Sequence, residues 1–168
     1  MNYSKLAFYI KKIYKKKKIL LHEPYLDKFD HLLVESSLKN KQLSTHGNTT
    51  EYFSEHIKKI LKIKRSIHNG YQNFIKENYR NTFSIVSEPK NSKSNFWLNI
   101  LKLKNPDKEE IDKIIRYLIS KNIHVRPLWE PLHTLKYLKK FQTEDLKVTN
   151  KLRSQLILLP SGIDGYVK

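Results

Sequence analysis

The sequence predicts an α+β protein in which helices pack on one face of a small sheet, with a helical arm preceding that domain. Two observations support this fold class. Apolar residues recur at helical spacing in three segments between Tyr3 and about Asn78, separated by a loop around Pro24 and by a break at Gly47. From Ser84 onward, short apolar runs bounded by turn residues alternate with helical patterns. The second half is therefore expected to follow the order β-β-α-β-α-α-β.

Three helices are predicted in the first half of the chain. The first spans Tyr3 to Tyr14, and its apolar face comprises Leu6, Tyr9, Ile10 and Ile13. The second is short, from His31 to Leu38. The third starts after Gly47, and its apolar positions include Tyr52, Phe53, Ile57 and Ile60. Its pattern continues through Leu61 to Asn78 without a visible linker, although Gly70 weakens a helix by about 1 kcal/mol relative to alanine.

The second half contains more regular signals. Two strands are expected on either side of a polar loop, Glu88 to Asn95. A helix follows, with Asp107 as N-cap, Glu110 completing a capping box and Asn122 at its end; its apolar face comprises Ile111, Ile114, Ile115 and Leu118. The remaining predicted elements are a strand from Ile123 to Leu128, helices at Leu135 to Phe141 and Glu144 to Ser154, and the final strand LILLP.

Composition excludes some classes of function and leaves others open. The chain has no cysteine, which rules out disulfides and thiolate metal sites. It has no apolar run near the roughly 20 residues of a membrane helix, and His22, His46 and His56 lack ligand spacing, so no metal site is predicted. The formal net charge of +17 could attract nucleic acid, but the lysines are scattered apart from Lys15 to Lys18 and no nucleic-acid motif is visible. Nucleic-acid binding therefore ranks last among the hypotheses.

Several phrases in the second half resemble one enzyme family. SNFWLNIL, then NIHVRPLWEPLHTLKYLKKF, then LLPSG, each separated by a helix, resemble the C-terminal end of the DegT/DnrJ/EryC1/StrS aminotransferases. KIKRSIHNGYQNFI resembles the family helix that leads into the small domain. The N-terminal phrases LLHEPYLDKFDHLLVESSLKNKQLSTHG and TEYFSEHIKKI resemble the start of the subgroup that makes amino sugars of the legionaminic-acid kind.

The resemblance implies a domain organisation and a biological setting. Residues 1–60 would be the N-terminal arm, 61–83 a connecting helix, and 84–168 the small C-terminal domain of a fold-type I aminotransferase. Members of this family use pyridoxal phosphate (PLP) to transfer an amino group to keto-sugars on nucleotide carriers. The implied setting is surface-polysaccharide biosynthesis. A cytoplasmic location is also expected, because a chain without cysteine is compatible with a reducing compartment.

The large PLP-binding domain of such enzymes is expected to be missing. It would supply the Schiff-base lysine, an acid for the pyridinium nitrogen and a phosphate cup. The chain has only 4 glycines, at positions 47, 70, 162 and 165, and no glycine-rich phosphate loop. We therefore expect an internal deletion with its junction between about Glu51 and Lys64, no catalytic or cofactor-binding residues, no PLP in this chain, and no activity of the chain alone.

The family motif also implies three substrate-binding residues. Arg126, Trp129 and His133 would face the sugar nucleotide, since an arginine fork binds phosphate or carboxylate bidentately. The alternative is structural: Arg126 would pair with Glu130 or another acid, Trp129 would pack in the core, and His133 would be a capping or surface residue.

An uncovered apolar face has consequences for partners. Phe96 and Trp97 would normally face the large domain, so without it they are expected to be exposed and to promote self-association. The chain would then form a homo-oligomer or dock on a full-length aminotransferase paralogue.

Overall fold

A four-stranded sheet organises the second half of the molecule. The computed structural model describes residues 3–21, 26, 28–41 and 48–164. Within them the strands are β1 (Phe83–Ile85), β2 (Asn99–Leu103), β3 (Arg126–Pro127) and β4 (Leu156–Leu159). Their order in the sheet is β1-β2-β4-β3, and every neighbouring pair is antiparallel. The final strand β4 therefore lies inside the sheet, which explains why all four of its apolar residues are buried.

Five α-helices accompany this sheet in the described part of the chain. They are α1 (Ser4–Tyr14), α2 (Lys28–Lys39), α3 (Asn48–Asn78), α4 (Lys108–Ser120) and α5 (Lys147–Arg153). Three of them contribute to one buried cluster together with the sheet. Its helical members include Leu6, Ile10, Ile67, Tyr71, Ile75, Ile111, Ile114 and Leu118. The predicted α+β class is confirmed.

The segment around α1 belongs to the same core as the sheet. After α1 the chain turns at Lys15, which has a positive φ of 50°, and Ile19 then bridges Ile123 in parallel. The Ile19 amide donates to the Asn122 carbonyl at 2.8 Å, and the His124 amide donates to the Ile19 carbonyl at 2.7 Å. The division of the chain into an arm and a small domain stays a prediction.

Gly70 has a packing role that offsets its cost to the helix. It lies opposite Tyr9 of α1, and a Cβ added at Gly70 would stand 2.6 Å from the Tyr9 hydroxyl. Tyr9 also stacks on Phe74 with ring centroids 4.1 Å apart. Glycine therefore permits the close approach of α1 to α3.

The helix α4 forms largely as its sequence predicts. Asp107 accepts a hydrogen bond from the Glu110 amide at 3.0 Å, so it is the N-cap. The capping box is incomplete, however, because the Asp107 amide donates to the Ser154 carbonyl at 3.0 Å. The Glu110 carboxylate instead accepts a hydrogen bond from the Tyr3 hydroxyl. Asn122 follows the helix with a φ of 59°, as expected for an αL residue after a helix C-terminus.

The segment between α4 and β4 is less regular than predicted. The strand expected from Ile123 to Leu128, with breaks at Pro127 and Pro131, is reduced to Arg126–Pro127. Ile123 instead forms a bridge with Ile19, and Pro127 has no amide to donate to a continuing ladder. The helix expected from Leu135 to Phe141 is wrong: the chain forms two 3₁₀ turns, Leu132–Thr134 and Lys136–Leu138. Leu135 is extended between them, and neither turn buries a residue that could stabilise a longer helix.

Candidate functional site

The segment that carries the family motif lies on the surface. It begins in β3, where Arg126 pairs in register with Leu158 of β4. The Arg126 side chain is exposed, and Trp129 is 62% exposed. An exposed arginine and an exposed indole three residues apart offer a charged fork and a flat apolar surface to a partner molecule.

Two contacts with α5 hold this segment in place. Glu130 forms an ion pair with Arg153, and this hydrogen bond lowers the pKa of the Glu130 carboxyl. The ring Nε2 of His133 lies 3.1 Å from the Asn150 Oδ1. The structural alternative for this motif is therefore wrong for Trp129, which is not in the core. For Arg126 it is wrong in naming Glu130 as the acid, because Glu130 pairs with Arg153.

The other two motifs of the resemblance meet at a buried polar cluster. Asn99, at the start of β2, donates to the Ser161 Oγ from its amide at 2.7 Å and from its Nδ2 at 3.1 Å. The Asn99 Oδ1 lies 3.0 Å from the Nδ1 of His68 on α3. All three residues are buried. The SNFWLNIL and LLPSG phrases are thus joined to α3 through side-chain hydrogen bonds.

The buried cluster and most of the Arg126 motif lie towards opposite ends of the sheet. Strands β2 and β3 run in the same direction, because each is antiparallel to β4. Trp97 therefore precedes β2 at one end of the sheet, whereas Trp129 follows β3 towards the other end. Ile100, Leu158 and Arg126 share one row across the sheet, which places Arg126 roughly 10 Å from Ile100. The structure does not bring the two tryptophans together.

A basic groove lies beside α3, next to the buried cluster. Arg65 forms a bidentate pair with Glu88, with both N–O distances at 3.0 Å. Arg65 also donates to the Ser94 carbonyl at 2.8 Å, and the Ser94 amide donates to Glu88 at 2.6 Å. The hydrogen bond from Arg65 is the main reason that the pKa of Glu88 falls from 4.5 to about 2. The groove is lined by Glu55, Lys58, Lys59, Leu61, Lys62, Arg65, Lys93, Ser94 and Asn95.

Phe96 and Trp97 have different environments. Phe96 is only 7% exposed, because its ring stacks on His68 at a centroid distance of 3.8 Å and lies beneath the Arg65 guanidinium. Trp97 is 57% exposed. The predicted exposure is therefore wrong for Phe96 and confirmed for Trp97.

Sequence reasoning missed the residues that build the cluster and the groove. Asn99 occupies a buried position in β2, where the burial pattern alternates through Leu101 and Leu103. A polar side chain at a buried strand position needs a hydrogen-bond partner. The asparagine among the alternating apolar residues of this strand could therefore have indicated a buried polar cluster. His68 likewise follows Ile67 on the buried side of α3. The half-buried Lys64 donates to the Ser161 carbonyl at 2.8 Å, and burial lowers the pKa of its amine.

The described ranges contain neither a candidate metal site nor a candidate membrane span. No group of three or more potential metal ligands occurs there, and His22 and His46 lie outside these ranges. No helix in the same part of the chain is both long enough and apolar enough to cross a membrane.

Comparison with known proteins shows the family of this chain. The model of the DegT/DnrJ/EryC1/StrS aminotransferase family matches residues 54–164, which is 111 of the 168 residues. The match covers β1 to β4 and most of α3. No curated protein matched the chain.

Proposed function

Because the chain belongs to the DegT/DnrJ/EryC1/StrS aminotransferase family, we propose that it is an internally shortened member that supplies one wall of a sugar-aminotransferase active site. In this proposal residues 84–168 correspond to the small domain of a fold-type I enzyme, and the chain alone does not catalyse transamination. The observation that carries the proposal is that the family motif lies on the surface, where the side chains of Arg126 and Trp129 are exposed to solvent. A pocket formed by two domains needs both walls.

The described residues do not fit PLP, the cofactor of this family. The cofactor requires a lysine, an acid for its ring nitrogen and donors around its phosphate. The buried polar side chains in the described ranges are His68, Asn99, Gln155 and Ser161, and none is a carboxylate. The half-buried amine of Lys64 already donates to a carbonyl.

The residues of the wall have distinct proposed roles. Arg126 would bind a phosphate or carboxylate of the nucleotide sugar through its planar guanidinium. Trp129 would pack its indole on an apolar or ring surface of the ligand. His133, held by Asn150, would orient a polar group. The legionaminic-type subgroup and the role in surface polysaccharide are also proposals by resemblance. The cytoplasmic location is a proposal compatible with the absence of cysteine.

The test is whether the purified chain takes up PLP and transfers amino groups. We expect no visible absorbance from lysine-bound PLP after incubation with the cofactor, and no amino transfer to a keto-sugar nucleotide. An intact member of the family, treated in parallel, provides the positive control. A yellow chain that loses its colour on borohydride treatment and retains a modified lysine would overturn the claim of inactivity.

A second candidate function is docking on an intact aminotransferase. The observation that favours it is the exposed apolar surface of the motif segment, where Trp129 and Leu132 both face solvent. Binding of a full-length paralogue, measured by pull-down, should weaken at least about tenfold in Trp129→Ala. Tryptophans that become buried in an interface are frequent hot spots for binding. Phe8→Ala is the matched control, since Phe8 is similarly exposed on α1. Equal binding by both variants would exclude this surface.

A further inference from the structure

We propose that the basic groove between α3 and the β1–β2 loop is a binding site for a small phosphate-bearing anion of the diphosphate type. This inference concerns a different surface from the Arg126 motif, and it does not depend on the proposed function. None of Arg126, Trp129 and His133 lines the groove.

Charge is the first argument for an anionic ligand. The lining contains five cationic side chains and one carboxylate, Glu55. Glu55 is already paired with Lys58 at 2.7 Å, and Arg65 is paired with Glu88. Lys59, Lys62 and Lys93 form no ion pair among the described residues, although the charge of Glu55 also acts on Lys59 and Lys62. One carboxylate cannot neutralise all of these cations, so the depression keeps a net positive charge that attracts an anion, and each ammonium group can donate to its oxygens.

The second argument is that the loop side of the groove is held in a fixed position. Arg65 donates to the Glu88 carboxylate and to the Ser94 carbonyl, which connects the loop to α3 at two points. Within the loop, the Ser94 amide also donates to Glu88. Phe96 has a positive φ of 46°, rare for an aromatic residue, and its ring is held by stacking on His68. Lys93, Ser94 and Asn95 lie between these anchors. Fixing the loop in advance lowers the entropy cost of binding.

The size of the groove favours a small ligand over a polymer. Its volume of about 520 Å³ falls within the range of roughly 300 to 1,000 Å³ that is typical of small-molecule pockets. The cations come from two walls, because Lys59 and Lys62 lie on α3 whereas Lys93 lies on the loop. A compact diphosphate can contact both walls at once.

The experiment is calorimetric titration of the full chain with inorganic pyrophosphate at fixed ionic strength. We expect saturable binding with a stoichiometry near one. The double variant Lys62→Gln/Lys93→Gln should bind about tenfold more weakly, because each lost charge at contact distance contributes on the order of threefold to fivefold in water. The control is Lys113→Gln/Lys151→Gln, whose two exposed lysines lie on α4 and α5, and it should bind like the parent chain.

Parallel titrations distinguish the source of the anion and the competing explanations. Tighter binding of a nucleoside diphosphate than of pyrophosphate would assign the diphosphate to a nucleotide, and equal binding would assign it to the free anion. Equal weakening in the groove and control variants would overturn the proposal, because attraction would then come from overall charge. No pyrophosphate binding together with tight, steeply salt-dependent RNA binding would also overturn it, in favour of a nucleic-acid surface.

Discussion

At the scale of single residues, Ser161 is the acceptor that joins α3, β2 and the chain after β4. Its hydroxyl accepts two hydrogen bonds from Asn99 and donates to the Leu159 carbonyl at 2.9 Å. Its backbone carbonyl accepts from Lys64, and its amide donates to the Leu21 carbonyl. The serine of the LLPSG phrase therefore has a structural role in this chain.

Ser161→Ala is expected to lower the free energy of unfolding by about 1–3 kcal/mol, because two buried donors of Asn99 lose their acceptor. Denaturant unfolding monitored by circular dichroism measures this change. Ser120→Ala is the control, since Ser120 is an exposed serine at the end of α4 and should change stability by no more than about 0.5 kcal/mol. Equal effects of the two substitutions would contradict a special role for Ser161.

The Arg65–Glu88 pair should make stability depend on acid pH. The pKa of Glu88 is lowered from 4.5 to about 2 in the folded chain, so the folded state favours the ionised carboxyl. This contribution is fully present above pH 4.5 and is lost as the pH falls through 4.5 towards 2. We expect Glu88→Gln to have a lower Tm than the parent chain at neutral pH, with the gap closing as the pH approaches 2.

The control for the acid experiment is Glu144→Gln, which alters an exposed carboxylate. Its Tm difference from the parent should stay nearly constant over the same pH range. A constant gap for Glu88→Gln as well would show that the pair does not stabilise the loop beside the basic groove.

At the scale of elements, α3 has two halves with different surroundings. In its second half, Ile67, Tyr71 and Ile75 are fully buried against the core. In its first half, Phe53 is 63% exposed, and Tyr52 and Ile57 are also exposed. Apolar residues keep their helical spacing along the whole helix, but no other part of the described chain buries those of the first half. The family match begins within this half, at residue 54. Spacing therefore predicted the helix but not which part of it would be buried.

The N-cap of α4 provides a test of local sequence signals. Asp107→Ala is expected to lower the free energy of unfolding by about 1 kcal/mol, because the Glu110 amide loses its acceptor. Asp107→Asn should retain most of the stability, since asparagine is an equally good N-cap. Thermal unfolding compares the two variants, and equal losses would indicate that charge rather than capping is responsible.

At the scale of the whole molecule, a large positive charge coexists with uncovered apolar surface. None of the 12 residues of α2 is buried, and Trp97 and Phe53 are exposed elsewhere. Such surface favours association, whereas a net charge of +17 opposes it. Salt screens repulsion between copies, so self-association should strengthen as ionic strength rises.

We therefore predict an apparent mass above that of the monomer in sizing chromatography at high salt, with binding of a dye that detects exposed apolar surface. Trp97→Ser should reduce both signals, because it removes a large exposed ring. Phe8→Ser is a comparison on α1, where another exposed ring lies outside the expected interface. A monodisperse monomer without dye binding at any salt concentration would contradict the prediction.

The elements were more predictable than the site. The bounds of α1, the cap of α4 and the strand LILL follow from local spacing and capping, which depend only on near neighbours in the chain. The segment from β3 to α5 was less predictable, because Pro127 and Pro131 interrupt it and neither of its 3₁₀ turns has a buried face that fixes its conformation. The residues of the basic groove were not predicted at all. Lys62 and Lys93 are far apart in sequence, and ordinary surface lysines have the same local pattern.

The sequence alone determined the α+β class, most of the helices and the resemblance to the aminotransferase family, because each of these depends on short-range patterns. The tertiary structure decided how the three motifs of that resemblance are arranged. Asn99 and Ser161 meet at one end of the sheet, whereas Trp129 lies towards the other. Strand order causes this arrangement: β4 inserts between β2 and β3, and such a long-range pairing is decided by how the whole chain buries its apolar faces.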